Sequence, residues 1–163
     1  MNNPTHFLYY YPSEFGRFSL VATDIALTHF FFDGEAPRFE TTERETPLLR
    51  EAGLQLAQYL RGERRQFTLP LEPAGSEFFR RAWQALVAIP YGETRSYGQI
   101  AAAIGNAKAC RAVGLANNRN PLPLFIPCHR VIGANQKLVG YRGGLRVKGQ
   151  LLELEKQRRD PIS

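Results

Sequence analysis

The sequence predicts an α+β protein in two parts, a small mixed N-terminal domain followed by a mainly helical C-terminal domain. The first 70 residues combine β-rich runs with one amphipathic helix, whereas helical spacing dominates the remainder. The Pro- and Gly-containing stretch 72–75 separates the two parts. Charge changes sign there as well: residues 1–75 hold 7 Lys and Arg against 10 Asp and Glu, and residues 76–163 hold 14 against 5. We therefore expect a scaffold domain at 1–71, a linker at 72–75 and a functional domain at 76–163.

The N-terminal domain carries the signals of a hairpin and a helix. Arg17–Ala22 and Ile25–Phe32 are β-rich runs separated by a two-residue turn. Thr46-Pro47 is typical of a helix start, with proline at the first helical position, and Gly62 ends the helix. Residues 66–71 favour a further strand. Because no constellation here indicates a site, we interpret this domain as a scaffold.

The C-terminal domain contains two short consecutive helices. Ser96, followed three residues later by Gln99, predicts a capping box, and Gly105 ends that helix. Asn106 is expected to cap a second helix that runs to about residue 117. Two short helices joined by a tight turn match the helix-turn-helix plan.

The second of these helices is a candidate nucleic-acid contact. It is expected to carry Lys108 and Arg111, with small residues between them that allow close approach to a groove: Ala109, Ala112, Gly114 and Ala116. The excess of positive charge in the C-terminal half points to a polyanionic partner. A core helix pair with incidental charges is the alternative.

A cysteine followed at once by a histidine is the candidate reactive centre. Apolar residues 124–126 and Val131-Ile132 predict a short buried strand interrupted by Cys128-His129. A thiol needs a lowered pKa or an adjacent base to act as a nucleophile. The alternative is an inert buried cysteine, which is a common state of free thiols.

The last helix, expected over residues 145–157, places two charges in its apolar half. At about 100° per residue, Lys148 and Glu155 fall among leucines and a valine. Buried charges need partners. They could pair with each other, extend to solvent, or serve a site, with His129 and Arg130 as further candidate partners of Glu155.

Bulk features exclude several classes of protein. Two cysteines form no disulfide framework, which favours a reducing cytosol. Apolar runs are far shorter than the ~20 residues of a membrane span, and the N-terminus lacks signal-peptide features, so we expect no membrane association. The ligand spacing of a metal site is absent from the sequence, and we expect neither metal nor cofactor.

Taken together, these motifs resemble the O6-alkylguanine-DNA alkyltransferase family over about residues 76–157. The resemblance is carried by four segments: Arg111–Pro121, Pro127–Val131, Gly140–Leu145 and Lys148–Glu155. It implies a ribonuclease H-like α/β N-terminal domain and a C-terminal domain of winged helix-turn-helix type that bears the active-site cysteine. It also implies DNA repair by irreversible transfer of the alkyl group of O6-alkylguanine to Cys128 after nucleotide flipping.

The resemblance assigns the chemistry to five residues. Cys128 would be the acceptor thiol, His129 would take its proton through a bound water, and Glu155 would hold the histidine. Tyr141 and Lys148 would polarise the guanine.

Substrate binding is assigned to neighbouring groups. The backbone amide of Arg142, with Gly143 beside it, would face O6, and the carbonyls of Cys128 and Val131 would accept from the exocyclic amine. Tyr97 would press on the phosphate next to the lesion.

DNA binding through the minor groove is assigned to the second short helix. Arg111 would fill the space left by the extruded base, with supporting contacts from Lys108, Ala112, Asn118 and Arg119. Asn120 would brace the turn that leads to the active site, where Pro127 fixes the backbone. The partner would be double-stranded DNA, bound by a monomer in the cytoplasm, or in the nucleus of a eukaryote.

Other points stay open at this stage. A lesion-binding protein of the same fold and a Cys-His hydrolase are the competing functions. The sequence does not decide the range of alkyl sizes, activity on O4-alkylthymine or cooperative assembly along DNA. It departs from the family at Gly149-Gln150, where an aromatic residue is common and glycine weakens a helix by ~1 kcal/mol, and at Asn118, where a basic residue is common.

Overall fold

The chain divides into two compact units between Ala74 and Gly75, and a computed structural model describes residues 3–158. The first unit combines a sheet with a helix and the second is mainly helical, which confirms the predicted α+β class. Within residues 3–158, the helices are all too short or too polar to cross a bilayer.

Within residues 3–74, the N-terminal unit is a four-stranded sheet with one helix. Its elements are β1 (Phe7–Ser13), β2 (Gly16–Ala22), β3 (Leu27–Phe31), β4 (Thr42–Glu43) and α1 (Pro47–Leu60). The strand order is β3-β2-β1-β4, with β2 antiparallel to both neighbours and β4 parallel to β1. Helix α1 packs on β1 and β2 and encloses a core that includes Phe18, Leu20, Phe30, Leu49 and Tyr59.

The helix start of this unit follows the sequence signals. The Thr46 hydroxyl accepts a hydrogen bond from the Leu49 amide at 3.2 Å, and Pro47 opens α1. Gly62 adopts a φ of +76° just after the helix, the left-handed conformation that glycine accepts at least cost.

Three strand expectations need correction. The predicted Ile25–Phe32 strand is shorter, because the Thr23 hydroxyl accepts from the amides of residues 25 and 26 and extends the turn. Residues 66–71 contribute a single bridge, between Leu71 and Leu27, instead of a strand. Strand β1 was not predicted; Tyr9, Tyr10 and Tyr11 are all half-buried, so the run shows no alternation of buried and exposed positions.

Within residues 75–158, the C-terminal unit consists of four α-helices, one short 3-10 helix and a minimal sheet. Its elements are α2 (Glu77–Val87), β5 (Arg95–Ser96), α3 (Tyr97–Ala103), α4 (Cys110–Asn118), β6 (Val131–Ile132) and α5 (Leu145–Gln157). The indole N–H of Trp83 on α2 donates to the Ala116 carbonyl on α4 at 2.9 Å. Strands β5 and β6 pair in parallel, Arg95 with Val131. This pairing brings the start of α3 beside the segment that follows Cys128.

The two short helices are present, but the second begins later than expected. The capping box is formed, with the Ser96 hydroxyl and the Gln99 side chain each accepting from the other residue's amide at 3.1 and 2.8 Å. The expectation that Asn106 caps the second helix is wrong. Its side chain accepts from the Lys108 amide at 3.3 Å within a separate turn, and α4 starts at Cys110.

Helix α5 runs without interruption through Gly149. A Cβ atom at this position would lie 3.4 Å from Leu138 Cδ1, an ordinary packing distance. The departure from the family pattern at 149–150 therefore leaves the helix intact, and Leu138 packs beside Gly149.

Candidate active site

Cys128 lies in a single turn of 3-10 helix, Cys128–Arg130, and not in the predicted strand. Leu124 has a φ of +72°, and the Ile126 amide donates to the Leu122 carbonyl at 2.8 Å, so the apolar run 124–126 forms a buried turn. The chain becomes extended at β6, one residue after Arg130. Side chains in a strand alternate between faces, whereas a tight turn allows Cys128, His129 and Arg130 all to be buried on the same element.

The turn is buried together with its polar side chains. The exposed fractions of Cys128, His129 and Arg130 are 4%, 0% and 7%. Polar and charged groups at this depth require hydrogen-bond partners. These partners come from the far end of the unit.

Glu155 on α5 is the centre of a buried charge cluster. Its Oε2 lies 2.7 Å from His129 Nε2, and the Arg130 Nε and Nη2 atoms donate to Oε1 and Oε2 at 2.8 and 3.0 Å. The backbone amide of Gly92 also donates to Oε1, at 3.2 Å. Burial acts to raise the pKa of Glu155, but the hydrogen bonds and charges of His129 and Arg130 outweigh it and hold that pKa well below its usual range. Glu155 is therefore a carboxylate at all physiological pH values.

The contact with Glu155 determines which nitrogen of His129 carries the proton. Burial, which is opposed by the Glu155 carboxylate, lowers the pKa of His129, so the ring is neutral at pH 7. A carboxylate can accept but cannot donate, so the hydrogen of the neutral ring lies on Nε2, facing Glu155. The basic lone pair is then on Nδ1, which can take up a proton.

The Cys128 thiol is protonated at rest. Burial raises the pKa of this thiol, and the Asn120 side chain and the positive charges of Arg142 and Lys148 oppose that rise without cancelling it. An external electrophile would thus meet a thiol and not a thiolate. Reaction requires removal of the proton when substrate is in place.

Asn120 ties the end of α4 to the Cys128 turn. Its Nδ2 donates to the Ile126 carbonyl at 2.8 Å, and its Oδ1 accepts from the Leu122 amide at 3.0 Å. The Arg142 guanidinium donates to the Asn120 backbone carbonyl at 2.9 Å. These contacts hold Asn120 against residues 122–126, which lead to Pro127 with its φ of −76°.

Lys148 is fully buried and holds the segment that precedes α5. Its Nζ donates to the carbonyls of Val139 and Gly140 at 2.8 and 3.3 Å, which excludes pairing with Glu155 as its main contact. Burial lowers the pKa of Lys148 to about 8, and the neighbouring Cys128 acts in the opposite direction. The Tyr97 hydroxyl donates to the same Val139 carbonyl at 3.2 Å. Helix α3, helix α5 and the segment that carries Val139 thus meet at the Val139 carbonyl.

Tyr141 and Val131 lie near Cys128, and Gly143 belongs to the turn that follows Tyr141. Burial first, and the Cys128 sulfur second, raise the pKa of Tyr141 well above its ordinary value, so its hydroxyl stays a hydrogen-bond donor at any working pH. The Tyr141 carbonyl accepts from the Gly144 amide at 2.9 Å in a turn that contains half-buried Gly143. Val131 is fully buried in β6, directly after the turn of Cys128.

Except for Lys108, the predicted DNA contacts lie on the exposed face of α4 or at its C-terminal cap, Arg119. Arg111, Ala112, Asn118 and Arg119 are all exposed and recur at helical spacing. Lys108 is exposed too, but it lies in the turn before α4 and not on the helix. The Tyr97 ring packs over Gly114, where a Cβ atom would lie 4.0 Å from its Cε1.

Sequence reasoning missed two parts of this site. The Gly92 amide donor lies in a loop 63 residues from Glu155, and no local pattern marks it. Asn117 is buried on α4, and its Nδ2 lies 3.4 Å from the Cys128 carbonyl oxygen. A signal for Asn117 did exist, because it occupies the apolar stripe of α4 with Val113 and Ala116, as Lys148 and Glu155 do in α5.

Comparisons with known proteins place both units of the chain in the same family. Residues 7–73 match the family model for the 6-O-methylguanine DNA methyltransferase ribonuclease-like domain, and residues 77–157 match that for its DNA binding domain. The chain is 56% identical to the constitutive methylated-DNA--protein-cysteine methyltransferase of Bacillus subtilis over 117 residues, 71% of each chain. It is 46% identical to that of Methanosarcina barkeri over 146 residues, 88% of this chain and 92% of the other. The structure is similar to Mycobacterium tuberculosis OGT in complex with DNA, with a TM-score of 0.88, 44% identity and coverage of 93% and 94%.

Proposed function

Because the chain belongs to the 6-O-methylguanine DNA methyltransferase family, we propose that it repairs DNA by transferring an alkyl group from O6 of guanine to Cys128. Transfer from methylated DNA to a protein cysteine is the activity for which its relatives are named, and it is the activity of this chain. The observation that carries the assignment to Cys128 is the buried contact of 2.7 Å between Glu155 and His129, the residue next to the cysteine.

Proton removal is the first step. His129, with its hydrogen on Nε2 and its lone pair on Nδ1, takes the Cys128 proton through a water molecule. Glu155 stabilises the imidazolium that results, because a carboxylate next to the ring favours its charged form. The positive charges of Lys148 and Arg142 favour the thiolate.

Alkyl transfer follows as a single displacement. The Cys128 sulfur attacks the alkyl carbon, the S–C bond forms as the C–O6 bond breaks, and the bonding pair passes to the purine. The purine takes up a proton at N1, so the base gains the one proton that the thiol loses. Tyr141, a neutral donor, and the Arg142 backbone amide stabilise the charge that develops on the leaving guanine. Gly143 allows close approach of the base.

The product on the protein is a thioether. Thioethers resist hydrolysis and thiol exchange, and none of the groups around Cys128 could reverse the step. Each molecule therefore acts once, and the amount of lesion repaired equals the amount of protein consumed.

DNA binding uses the exposed face of α4. We propose that this helix enters the minor groove, where Arg111 fills the gap left by the flipped nucleotide and Tyr97 contacts the adjacent phosphate. Asn118 and Arg119 extend the same face, and Lys108 adds charge at its start. The protein binds as a monomer, in the cytoplasm or in a eukaryotic nucleus, where its two free thiols stay reduced.

The competing functions receive less support. A protein that only binds the lesion would not need a cysteine placed beside a carboxylate-bound histidine. A Cys-His hydrolase would leave the exposed basic face of α4 unexplained. The same experiment separates all three functions.

Duplex DNA that carries O6-methylguanine with a labelled methyl group tests the proposal. The label should move to the protein in a one-to-one ratio, and mass spectrometry of peptides should place it on Cys128. Cys128→Ser should bind the DNA but accept no label, while Cys110→Ser, which changes the exposed cysteine, should behave as wild type. Label that stays on DNA would indicate a binding protein, and label released to solution would indicate a hydrolase. Label on Cys110 would refute the assignment of Cys128 as the acceptor. The same duplex with O4-methylthymine as the lesion tests a second substrate.

A further inference from the structure

The segment between β6 and α5, residues 133–144, carries two groups that the mechanism assigns to the leaving base. They are the Tyr141 hydroxyl and the Arg142 backbone amide. Residues 133–144 contain no helix or strand that would fix the position of these groups. Hydrogen bonds to the rest of the unit must therefore hold the segment in place.

The first of these hydrogen bonds tie the segment to two helices. Lys148 on α5 and Tyr97 on α3 both donate to the Val139 carbonyl, at 2.8 and 3.2 Å. Tyr141 lies two residues further on, and its carbonyl accepts from the Gly144 amide at 2.9 Å in the turn that leads to α5. These contacts fix the segment against α3 and α5, but they do not join it to the turn that carries the nucleophile.

The Arg142 side chain supplies the link to that turn. Its Nη1 donates to the backbone carbonyl of Asn120 at 2.9 Å. Arg142 is an exposed residue whereas Asn120 is 1% exposed, so the guanidinium turns back from the surface to a buried carbonyl. Burial raises the pKa of both Cys128 and Tyr141, and the charge of Arg142 opposes both rises. The guanidinium therefore lies near the attacking group as well as near the donor.

Asn120 connects this contact to the cysteine. Its Nδ2 donates to the Ile126 carbonyl at 2.8 Å, and its Oδ1 accepts from the Leu122 amide at 3.0 Å. The same residue thus holds Arg142 through its main chain and the approach to Cys128 through its side chain. A path of two hydrogen bonds joins the two walls of the pocket.

We propose that Arg142 is a positioning residue whose guanidinium, through the Asn120 carbonyl, fixes segment 139–144 against the Cys128 turn. This inference rests on the proposed function, because the segment and the turn must hold one base between them. The Cys128 sulfur attacks the alkyl carbon while the Tyr141 hydroxyl and the Arg142 amide stabilise the leaving purine. If the donors move relative to the sulfur, that stabilisation is lost and transfer slows, because displacement depends steeply on geometry.

Arg142→Gln tests the inference, because it removes the guanidinium and leaves the backbone amide in place. The maximal rate constant is measured in single turnovers, with protein in saturating excess over duplex DNA that carries O6-methylguanine. A second rate constant is measured with free O6-benzylguanine, which needs no contact with DNA. Both should fall by about 10-fold, the lower end of the effect of a hydrogen bond from a charged donor. Arg146→Gln removes the same charge at an exposed position of α5 and should retain both rates.

Iodoacetamide separates the geometric effect from the effect of charge. This small electrophile reacts with the Cys128 thiolate without the groups that face O6, so its rate reports the ionisation and access of the thiol. The rate is measured across pH in a Cys110→Ser background, because Cys110 is exposed and would compete. Arg142→Gln should change the iodoacetamide rate much less than it changes transfer from O6-benzylguanine.

Hydrogen exchange reports the tether without any transfer reaction. Arg142→Gln should speed exchange in peptides that cover residues 139–145, which include the Gly144 amide. Arg146→Gln should leave these peptides at the wild-type rate. Arg142→Met also removes the donor, and it replaces Arg142→Gln if thermal melts show that the glutamine variant does not fold.

The outcomes distinguish this inference from the proposed function. If Arg142→Gln weakens DNA binding but keeps both rate constants, the guanidinium contacts a phosphate and the inference is wrong. Equal loss with iodoacetamide and O6-benzylguanine would show that Arg142 acts through its charge alone, and unchanged exchange at 139–145 would show that it holds nothing in place; either result overturns the inference. If wild type transfers no alkyl group from either substrate, the proposed function fails, while faster exchange at 139–145 in Arg142→Gln would still support the tether.

Discussion

Glu155→Gln is the most informative single change in the site, because it removes one charge and little volume. In the wild type, Glu155 is fully buried and accepts from His129 at 2.7 Å and from the Arg130 guanidinium at 2.8 and 3.0 Å. A glutamine can still accept at one atom but cannot neutralise Arg130. The variant therefore leaves a buried guanidinium with no carboxylate beside it, although the Arg130 Nη1 atom still donates to the Ile89 carbonyl at 2.8 Å.

The expected loss of stability follows from that unpaired charge. Breaking a buried ion pair by removing one partner typically costs ~3–5 kcal/mol. For a chain of this length, each kcal/mol corresponds to ~2–4 °C in melting temperature, so the fall should be roughly 6–20 °C. The matched control is Glu153→Gln, which makes the same substitution at an exposed position of α5 and should change stability by less than ~0.5 kcal/mol.

The difference between wild type and Glu155→Gln should depend on pH with a definite sign. The partners of Glu155 hold its pKa below its usual value, so the stabilisation is complete above the ordinary carboxyl pKa of about 4.3 and is lost as pH falls towards the folded-state value. The gap in melting temperature should thus be full at pH 7 and begin to close below about pH 4.3.

The effect on activity is measured separately on folded protein below the melting temperature. Without the carboxylate, the pKa of His129 falls further, because Glu155 is the group that raises it. His129 then becomes a weaker base, and methyl transfer should slow by ~10–100-fold, as is typical when a residue that orients a site group is changed. A folded Glu155→Gln protein with the wild-type transfer rate would refute the catalytic role and leave Glu155 as the structural partner of Arg130.

Two further predictions concern the DNA-binding face and Lys148. Arg111→Ala should slow repair in duplex DNA far more than reaction with free O6-benzylguanine, since extrusion of a base costs a few kcal/mol. The control, Arg80→Ala on α2, should preserve the ratio of the two rates. Equal loss of rate on both substrates would show that Arg111 has a structural role. DNA affinity should fall steeply with salt in the same assay, and a flat response would contradict binding through Lys and Arg. The pKa of Lys148 is about 8 in the folded protein and about 10.4 in the unfolded chain. Wild type should therefore become more stable relative to Lys148→Met as pH rises between these two values, because the unfolded chain then binds more protons than the folded protein. Chemical denaturation across that range measures the gain, and a constant difference would contradict the buried, titrating lysine.

Short-range chemistry explains which features the sequence could predict. The Thr46 cap and the Ser96–Gln99 capping box join groups three residues apart, so their patterns are complete within one window of the chain. The burial of Lys148 and Glu155 was predictable because both positions follow from helical periodicity alone. These local rules need no knowledge of the tertiary structure.

Long-range contacts explain most of what the sequence left open. The wheel of α5 allowed His129, Lys148 or Arg130 as the partner of Glu155, and the structure selects two of them across 25 and 26 residues. The apolar run at 124–126 has the composition of a strand, yet these residues are buried in a turn. Leu124 has a positive φ there, a conformation that favours glycine and is not predicted for leucine. Asn106 has the side chain of a helix cap, but it accepts from the Lys108 amide two residues later and forms a separate turn. Helix α4 starts only after this turn, at Cys110.

The resting state of the site is consistent with a protein that reacts once. A thiolate at Cys128 would be open to any electrophile small enough to enter, and one such reaction would consume the molecule. Burial instead raises the pKa of Cys128 and lowers that of His129, so both groups are neutral until a base occupies the pocket. The Glu155 carboxylate remains charged, and in the proposed mechanism it would stabilise the imidazolium once the proton has moved. We infer that selectivity for the lesion comes from coupling thiol ionisation to occupancy of the pocket, and not from a permanently reactive cysteine.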